Sequence, residues 1–246
     1  MQSLRRLSFL WKLNGNKTLN LGLRLPGSFM IYRPNYYFSQ SSTDIVEEEI
    51  SDSFEAFINV GLDKMRVSRY QDAIKVFQRS LQKEAQSAKE NPDTTSFIHL
   101  QIANCLLQLK IPSQAIEILE KGFDLKPKGN ILIADYHRAF GQAYLAEEQY
   151  DKALSHFEKA IETLKSLQDI DHAMSEIALI NNDMGLLYLK QNKFSEAQNC
   201  IQESLSQYQL SKEIDNLELA KIYENQGLLF HQQKEYKKAI EIGRAS

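Results

Sequence analysis

Five times in this 246-residue chain a small residue is followed twelve places later by an alanine: Gly61/Ala73, Ala103/Ala115, Gly141/Ala153, Gly185/Ala197 and Gly227/Ala239. Three places before each alanine stands Tyr70, Pro112, Tyr150, Phe194 or Tyr236. Four places after the first four alanines stands Phe77, Leu119, Phe157 or Ile201. A short recurring unit cannot bury its apolar side alone, so copies stack and bury it against one another. The pattern therefore predicts a quasi-one-dimensional array with no single globular core. Arrays of helix pairs present extended surfaces for holding other molecules.

The spacing within a unit is helical. From Tyr150 to Lys165 the apolar residues Ala153, Leu154, Phe157, Ala160, Ile161 and Leu164 recur at three and four, which makes one apolar stripe. Small residues on facing helices let the two axes approach closely. Aromatics beside them, such as Tyr144 and Tyr188, fill the gap to the next helix pair.

These residues resemble the tetratricopeptide repeat (TPR). The third copy fits best, with Gly141, Tyr144, Tyr150, Ala153, Phe157 and Ala160. The second keeps a closing proline, Pro127, and has Gly122 where the third has Ala160. The fourth reads Gly185, Tyr188, Phe194, Ala197, Ile201 and Ser204, while the first departs at Lys64, where an aromatic or large apolar residue is usual. The resemblance covers residues 53–246. It implies an all-α TPR solenoid, a right-handed superhelix of antiparallel helix pairs. About five repeats fall near 54–91, 96–128, 134–170, 178–212 and 220–246, the last incomplete. Repeat five is expected to stop within its second helix without a polar capping element, as a frayed copy or in a shortened chain.

Successive alanines lie 42, 38, 44 and 42 residues apart. The common unit is about 34 residues, so the helices are expected to be extended. Gln71–Asn91 lacks Gly and Pro and reads as one long helix that Asn91-Pro92 stops. Such long units resemble those of kinesin light chains and related adaptors. Residues Ile180–Tyr188 followed by Lys190–Ala197 are most similar to that subfamily.

The first 43 residues are of another kind. They hold Arg5, Arg6, Lys12, Lys17, Arg24 and Arg33 and no Asp or Glu, leaving 23 basic and 32 acidic residues for the remainder. A basic, acid-free, Ser-containing opening is the mark of an organelle transit peptide. Over Leu4–Leu13 a helix would place Leu7, Leu10 and Trp11 on one face with Arg5 and Lys12 off it. Tyr36–Ser42 resembles mitochondrial processing sites of the aromatic-then-serine type, and cleavage is expected near Phe38. A secretory signal is disfavoured by Lys12, and a twin-arginine signal by the placing of Phe9. A plastid transit peptide and a plain basic arm are the competing readings. Residues 44–52 form an acidic lead-in in which Asp44 with Glu47 could cap a helix.

No Gly-rich phosphate loop, HExxH or CxxC is present, so neither an enzyme nor a cofactor is expected. His99 and His137 share one repeat position and are expected to pack between helices. Asp169, Asp171 and His172 read as a loop or helix start. Cys105 and Cys200 lie two repeats apart and are expected to be buried thiols. No stretch approaches about 18 uninterrupted apolar residues, so no membrane span is expected. The acidic balance disfavours nucleic acid, whose phosphates need Lys and Arg.

Repeats of the TPR kind project two first-helix positions into their concave face. One place after each small residue stand Leu62, Asn104, Gln142, Leu186 and Leu228. Three places before it stand Ile58, Leu100, Arg138, Asn182 and Glu224. The candidate binding residues are Asn104, Arg138, Gln142, Asn182, Leu186, Glu224 and Leu228. In kinesin-light-chain-like repeats an asparagine at the second position holds the backbone of a bound peptide, and Asn182 matches it. Ile58 and Leu62 break the Lys/Asn pattern of the chaperone-tail clamp. The mixed groove suits an amphipathic helix or an extended segment of a protein partner; the alternative is that Leu62, Leu186 and Leu228 are core. The expectation is a mitochondrial scaffold or assembly adaptor in the matrix or at the inner membrane. The alternative is a cytoplasmic adaptor of the kinesin-light-chain type.

Overall fold

The computed structural model describes residues 54–86, 91–167, 170–210 and 216–245. The basic opening, the processing site expected near Phe38 and the acidic lead-in all lie outside the described residues. All the described residues belong to one unit, Gln40–Ser246. They form ten helices and, among the described residues, no strand: α1 Phe54–Arg66, α2 Tyr70–Ala85, α3 Pro92–Gln108, α4 Pro112–Phe123, α5 Asn130–Ala146, α6 Tyr150–Lys165, α7 Ile170–Lys190, α8 Phe194–Leu210, α9 Asn216–Gln232 and α10 Tyr236–Ala245. Each odd-numbered helix pairs with the even-numbered one that follows it.

The second helices bury a single stripe, as the three-and-four spacing requires. In α2 it is Ala73, Val76, Phe77, Ser80 and Glu84, and in α6 it is Ala153, Phe157, Ala160 and Leu164. The first helices are sandwiched and bury more of their circumference. In α5 Leu132, Ala134, Tyr136, Ala139, Phe140, Gly141, Ala143 and Leu145 are all buried. Burial is spread along the array in three clusters. Tyr144 packs against the first and second, and Tyr188 against the second and third, so these aromatics join neighbouring repeats.

The turn between paired helices is built the same way each time. Seven places after each small residue the backbone is left-handed, at Ser68, Lys110, Glu148, Asn192 and Lys234. The next N–H reaches back five residues: Arg69 to Lys64, Ile111 to Leu106, Gln149 to Tyr144, Lys193 to Tyr188 and Glu235 to Phe230, at 2.8–3.0 Å. This closes the first helix with a Schellman-type cap and satisfies its last carbonyls.

Two expectations change. The helix read as Gln71–Asn91 ends at Ala85, with Gln86 as its C-cap. Asn91 belongs to the next helix: its side chain accepts from Asp93 N–H at 3.1 Å and Pro92 occupies the first turn, where no N–H is needed. Much of the extra repeat length lies instead at the starts of first helices. α3, α5, α7 and α9 begin at Pro92, Asn130, Ile170 and Asn216, ahead of the repeat starts read from sequence.

The small residue also does something more specific than letting two axes approach. A Cβ on Gly141 would lie 2.6 Å from Cδ1 of Phe157 and closer still to Cε1. On Gly61 it would lie 2.7 Å from Cζ of Phe77, and on Gly185 2.6 Å from Cγ1 of Ile201. In each case the glycine is the socket for the side chain sixteen places on, in its own hairpin.

Candidate functional site

Among the described residues, the main contacts that skip a helix join first helices: α3 with α5, α5 with α7, and α7 with α9. The first helices therefore line one face together, and the sequence-predicted residues fall on them. Asn104 is half-buried on α3, Arg138 and Gln142 are half-buried on α5, and Asn182 is buried on α7. Leu186, also on α7, is half-buried and packs against the second cluster. On α9 Glu224 is exposed and Leu228 is 37 % exposed. In the first repeat Ile58 and Leu62 pack against the core, and Leu100 of the second is buried, so only Asn104 is polar at these positions in the first two repeats.

The structure joins some of these residues through partners on the next repeat. Arg138 Nε donates to Asp183 Oδ2 at 2.9 Å, and Gln142 Nε2 donates to the same oxygen at 2.8 Å. Arg138 Nη1 lies 3.6 Å from Glu176 Oε2. These contacts tie α5 to α7. One repeat on, Asn225 Nδ2 donates to Asn182 Oδ1 at 3.0 Å and ties α9 to α7. Asn104, Leu186, Glu224 and Leu228 take no part in these bonds.

Burial alone would pull the pKa of the Arg138 guanidinium down, but Asp183, Glu176 and Glu218 together raise it. Arg138 is thus a permanent cation with a side chain 20 % exposed among three carboxylates. Sequence reasoning missed Asp183, Glu176, Asn225 and Glu218. A signal was there in the register: Glu176 and Glu218 both stand nine places before a repeat glycine, and Asp183 and Asn225 both stand two places before one.

His99 and His137 do pack between helices. His99 Nδ1 lies 2.8 Å from the Thr95 carbonyl and donates to it. His137 pairs with His156, which the sequence had not singled out, at 3.1 Å between Nδ1 atoms. Both lie among Phe123, Phe140 and Tyr144. Cys105 is buried and Cys200 half-buried. Burial pushes their thiols up to about 12 and about 11, the latter helped by Glu203 and Glu196, so both stay protonated at neutral pH. Among the described residues no cluster of three or more His, Cys, Asp or Glu could hold a metal ion. No helix of the described residues is long and apolar enough to cross a membrane.

Tetratricopeptide repeat family models match residues 136–163 and 176–246. No curated protein matches the chain. Among solved structures it is similar to BtubC (BKLC) from P. vanneervenii, with a TM-score of 0.60 and 16% identity over 76% of each chain. It is also similar to the APC/C hetero-tetramer Cut9-Hcn1, with a TM-score of 0.61 and 15% identity, covering 79% of this chain and 33% of that one. A third likeness is to NprR in complex with its cognate peptide NprX, with a TM-score of 0.56 and 21% identity, covering 77% of this chain and 53% of that one. At these identities the likeness concerns the fold. The chain carries tetratricopeptide repeats, and its described residues form an all-α solenoid of them.

Proposed function

We propose that this protein is a mitochondrial scaffold or assembly adaptor that holds a peptide or helix of a partner protein against the joined face of its first helices. The observation that carries the binding role is the inter-repeat bonding of Arg138, Gln142, Asn182, Asp183 and Asn225, which gathers polar side chains from α5, α7 and α9 on one face. A side chain fixed by its neighbour loses little freedom when a ligand arrives, which favours binding. A structure of the same fold, NprR, holds a peptide, its cognate NprX. The mitochondrial part rests on the acid-free basic opening before Asp44.

Proximity labelling in cells, with the biotinylating tag at Ser246, tests both parts. Matrix or inner-membrane neighbours, around a bait shortened by about 4 kDa through removal of its leader, support the reading. Those neighbours should then fall away when Asn182 and Leu228 are replaced. Cytosolic neighbours around a full-length bait would sink the mitochondrial part. Neighbours indifferent to the replacements would sink the groove.

A further inference from the structure

Asn182 is 6 % exposed, and the bond from Asn225 Nδ2 into its Oδ1 fixes which end of the amide is which. Its own Nδ2 donates to nothing among the described residues and is not sealed from solvent. A nearly buried amide held in place with its donors unused is built to meet an acceptor from outside. One residue on, both bonds to Asp183 arrive at Oδ2, and Oδ1 receives none among the described residues. That side chain is 15 % exposed, so Oδ1 is an anchored carboxylate oxygen with free lone pairs.

The surrounding charge has a sign. Among the described residues, Glu176, Asp183, Glu218 and Glu224 lie on α7 and α9 with the cation Lys221, and Arg138 reaches across from α5. Arg138 is already shared among three carboxylates, and Lys221 Nζ lies 3.0 Å from Glu218 Oε1. Asp183 Oδ1 and the exposed Glu224 are the carboxylate oxygens this face offers outward, and their charge is negative. Within it Leu228, 37 % exposed, lies one turn beyond the exposed Glu224 on α9.

We propose that the face shared by α7 and α9 takes a basic segment of a partner protein. Asn182 Nδ2 donates to a backbone carbonyl of that segment. Asp183 Oδ1 and Glu224 receive a lysine or arginine, and Leu228 meets an apolar side chain beside it. Charge complementarity picks this occupant: an acidic segment would face the same carboxylates and be rejected by like charge. The inference rests on the groove reading above and adds the chemistry of the ligand.

The test is to pan a random-peptide display library on the full chain, then measure the enriched peptides, fluorescein-labelled, by anisotropy. The expected result is peptides carrying Lys or Arg next to an apolar residue, with affinity that falls as salt rises. Glu224→Gln, at an exposed site that the fold does not use, should weaken them about two- to fivefold. Asp183→Asn should weaken them about tenfold or more. Enriched peptides that lack basic residues yet lose affinity with Asn182→Ala would overturn the basic-segment proposal and leave the groove standing. No enrichment, or affinities unmoved by all three replacements, would overturn both.

Discussion

Phe157 is seated on Gly141: both are buried, and the ring of the second helix fills the space that a Cβ on the first helix would occupy. The five repeats vary this pair together. Phe77 and Phe157 face glycines, while the smaller Leu119 stands sixteen places after Ala103, where a methyl is present. In the fifth repeat the position sixteen on is Gly243, and a Cβ on Gly227 would have Ile242 Cγ2 as its nearest neighbour, at 4.0 Å. The Phe knobs thus stand over glycines and Leu119 over an alanine, while Ile201 keeps a glycine at Gly185.

Gly141→Ala should therefore overpack the hairpin and destabilise by about 1–3 kcal/mol. Gly227→Ala meets open space and should stabilise by about 0.5–1 kcal/mol through helix propensity. Adding Phe157→Leu to Gly141→Ala reproduces the second repeat's pair and should recover part of the loss. Urea midpoints of the three variants check this; Gly141→Ala and Gly227→Ala with effects of the same sign would refute the socket.

Between repeats the matching pair is Gly122 and Tyr136. Tyr136 is fully buried, and its hydroxyl donates to the Ser96 carbonyl at 2.6 Å. Ser96 Oγ in turn donates to the Gly122 carbonyl at 2.7 Å. A Cβ on Gly122 would lie 2.6 Å from His99 Cβ and closer still to the Tyr136 oxygen. Tyr136→Phe should cost about 1–2 kcal/mol by removing one buried hydrogen bond. A chemical-denaturation midpoint equal to wild type would show that the bond contributes nothing.

The shared left-handed turn gives a prediction that does not depend on packing. Lys110 holds φ 60° and Asn192 φ 59°. A side chain in this region is strained by about 1 kcal/mol or more, less so for Asn, which bonds locally. Glycine removes the strain but frees the unfolded chain. Lys110→Gly should therefore raise the melting temperature, and Asn192→Gly should raise it less or not at all. The reverse order would count against strain at this turn.

Arg138 is the reverse case, a side chain whose loss leaves others stranded. Replacing it with Leu keeps much of the volume but takes from the half-buried Asp183 the cation bonded to it, and from the buried Glu176 one of its contacts. A loss of about 3–5 kcal/mol is expected. Adding Asp183→Asn should return part of it, and a double-mutant cycle measures the coupling. Purely additive losses would mean that the two side chains are not coupled.

The helix hairpins were legible because each depends on spacing within one copy: small residue, alanine, knob. Pairings across about forty residues were not. Nothing local to Arg138 points to Asp183, since an arginine at that position serves equally well as a free groove residue. Gly122 stands where the third repeat has Ala160 because Tyr136 packs above it; repeats one and four keep Ser80 and Ser204 there, with isoleucines Ile98 and Ile222 where Tyr136 stands. The candidate face rests on register alone, which assigns residues to helix positions but carries no sign of the bonds that consume Arg138 and Gln142.

The pair His137 and His156 sets a pH dependence whose sign follows from geometry. With Nδ1 atoms 3.1 Å apart, one ring must donate and the other accept, so the accepting Nδ1 cannot also carry a proton. Burial is the first cause holding His156 down to about 4, with His137 and Lys159 adding to it; burial and then Lys159 lower His137. The unfolded histidines titrate near pH 6.5. Between that value and about 4 the unfolded chain binds more protons than the folded one, so stability rises with pH across this window and is lost on acidification. The melting temperature should fall steadily from about pH 6.5 to pH 5, above the range where ordinary carboxylates titrate. His156→Gln should flatten that slope whatever it does to stability at pH 7. An unchanged slope would place the acid sensitivity elsewhere in the fold.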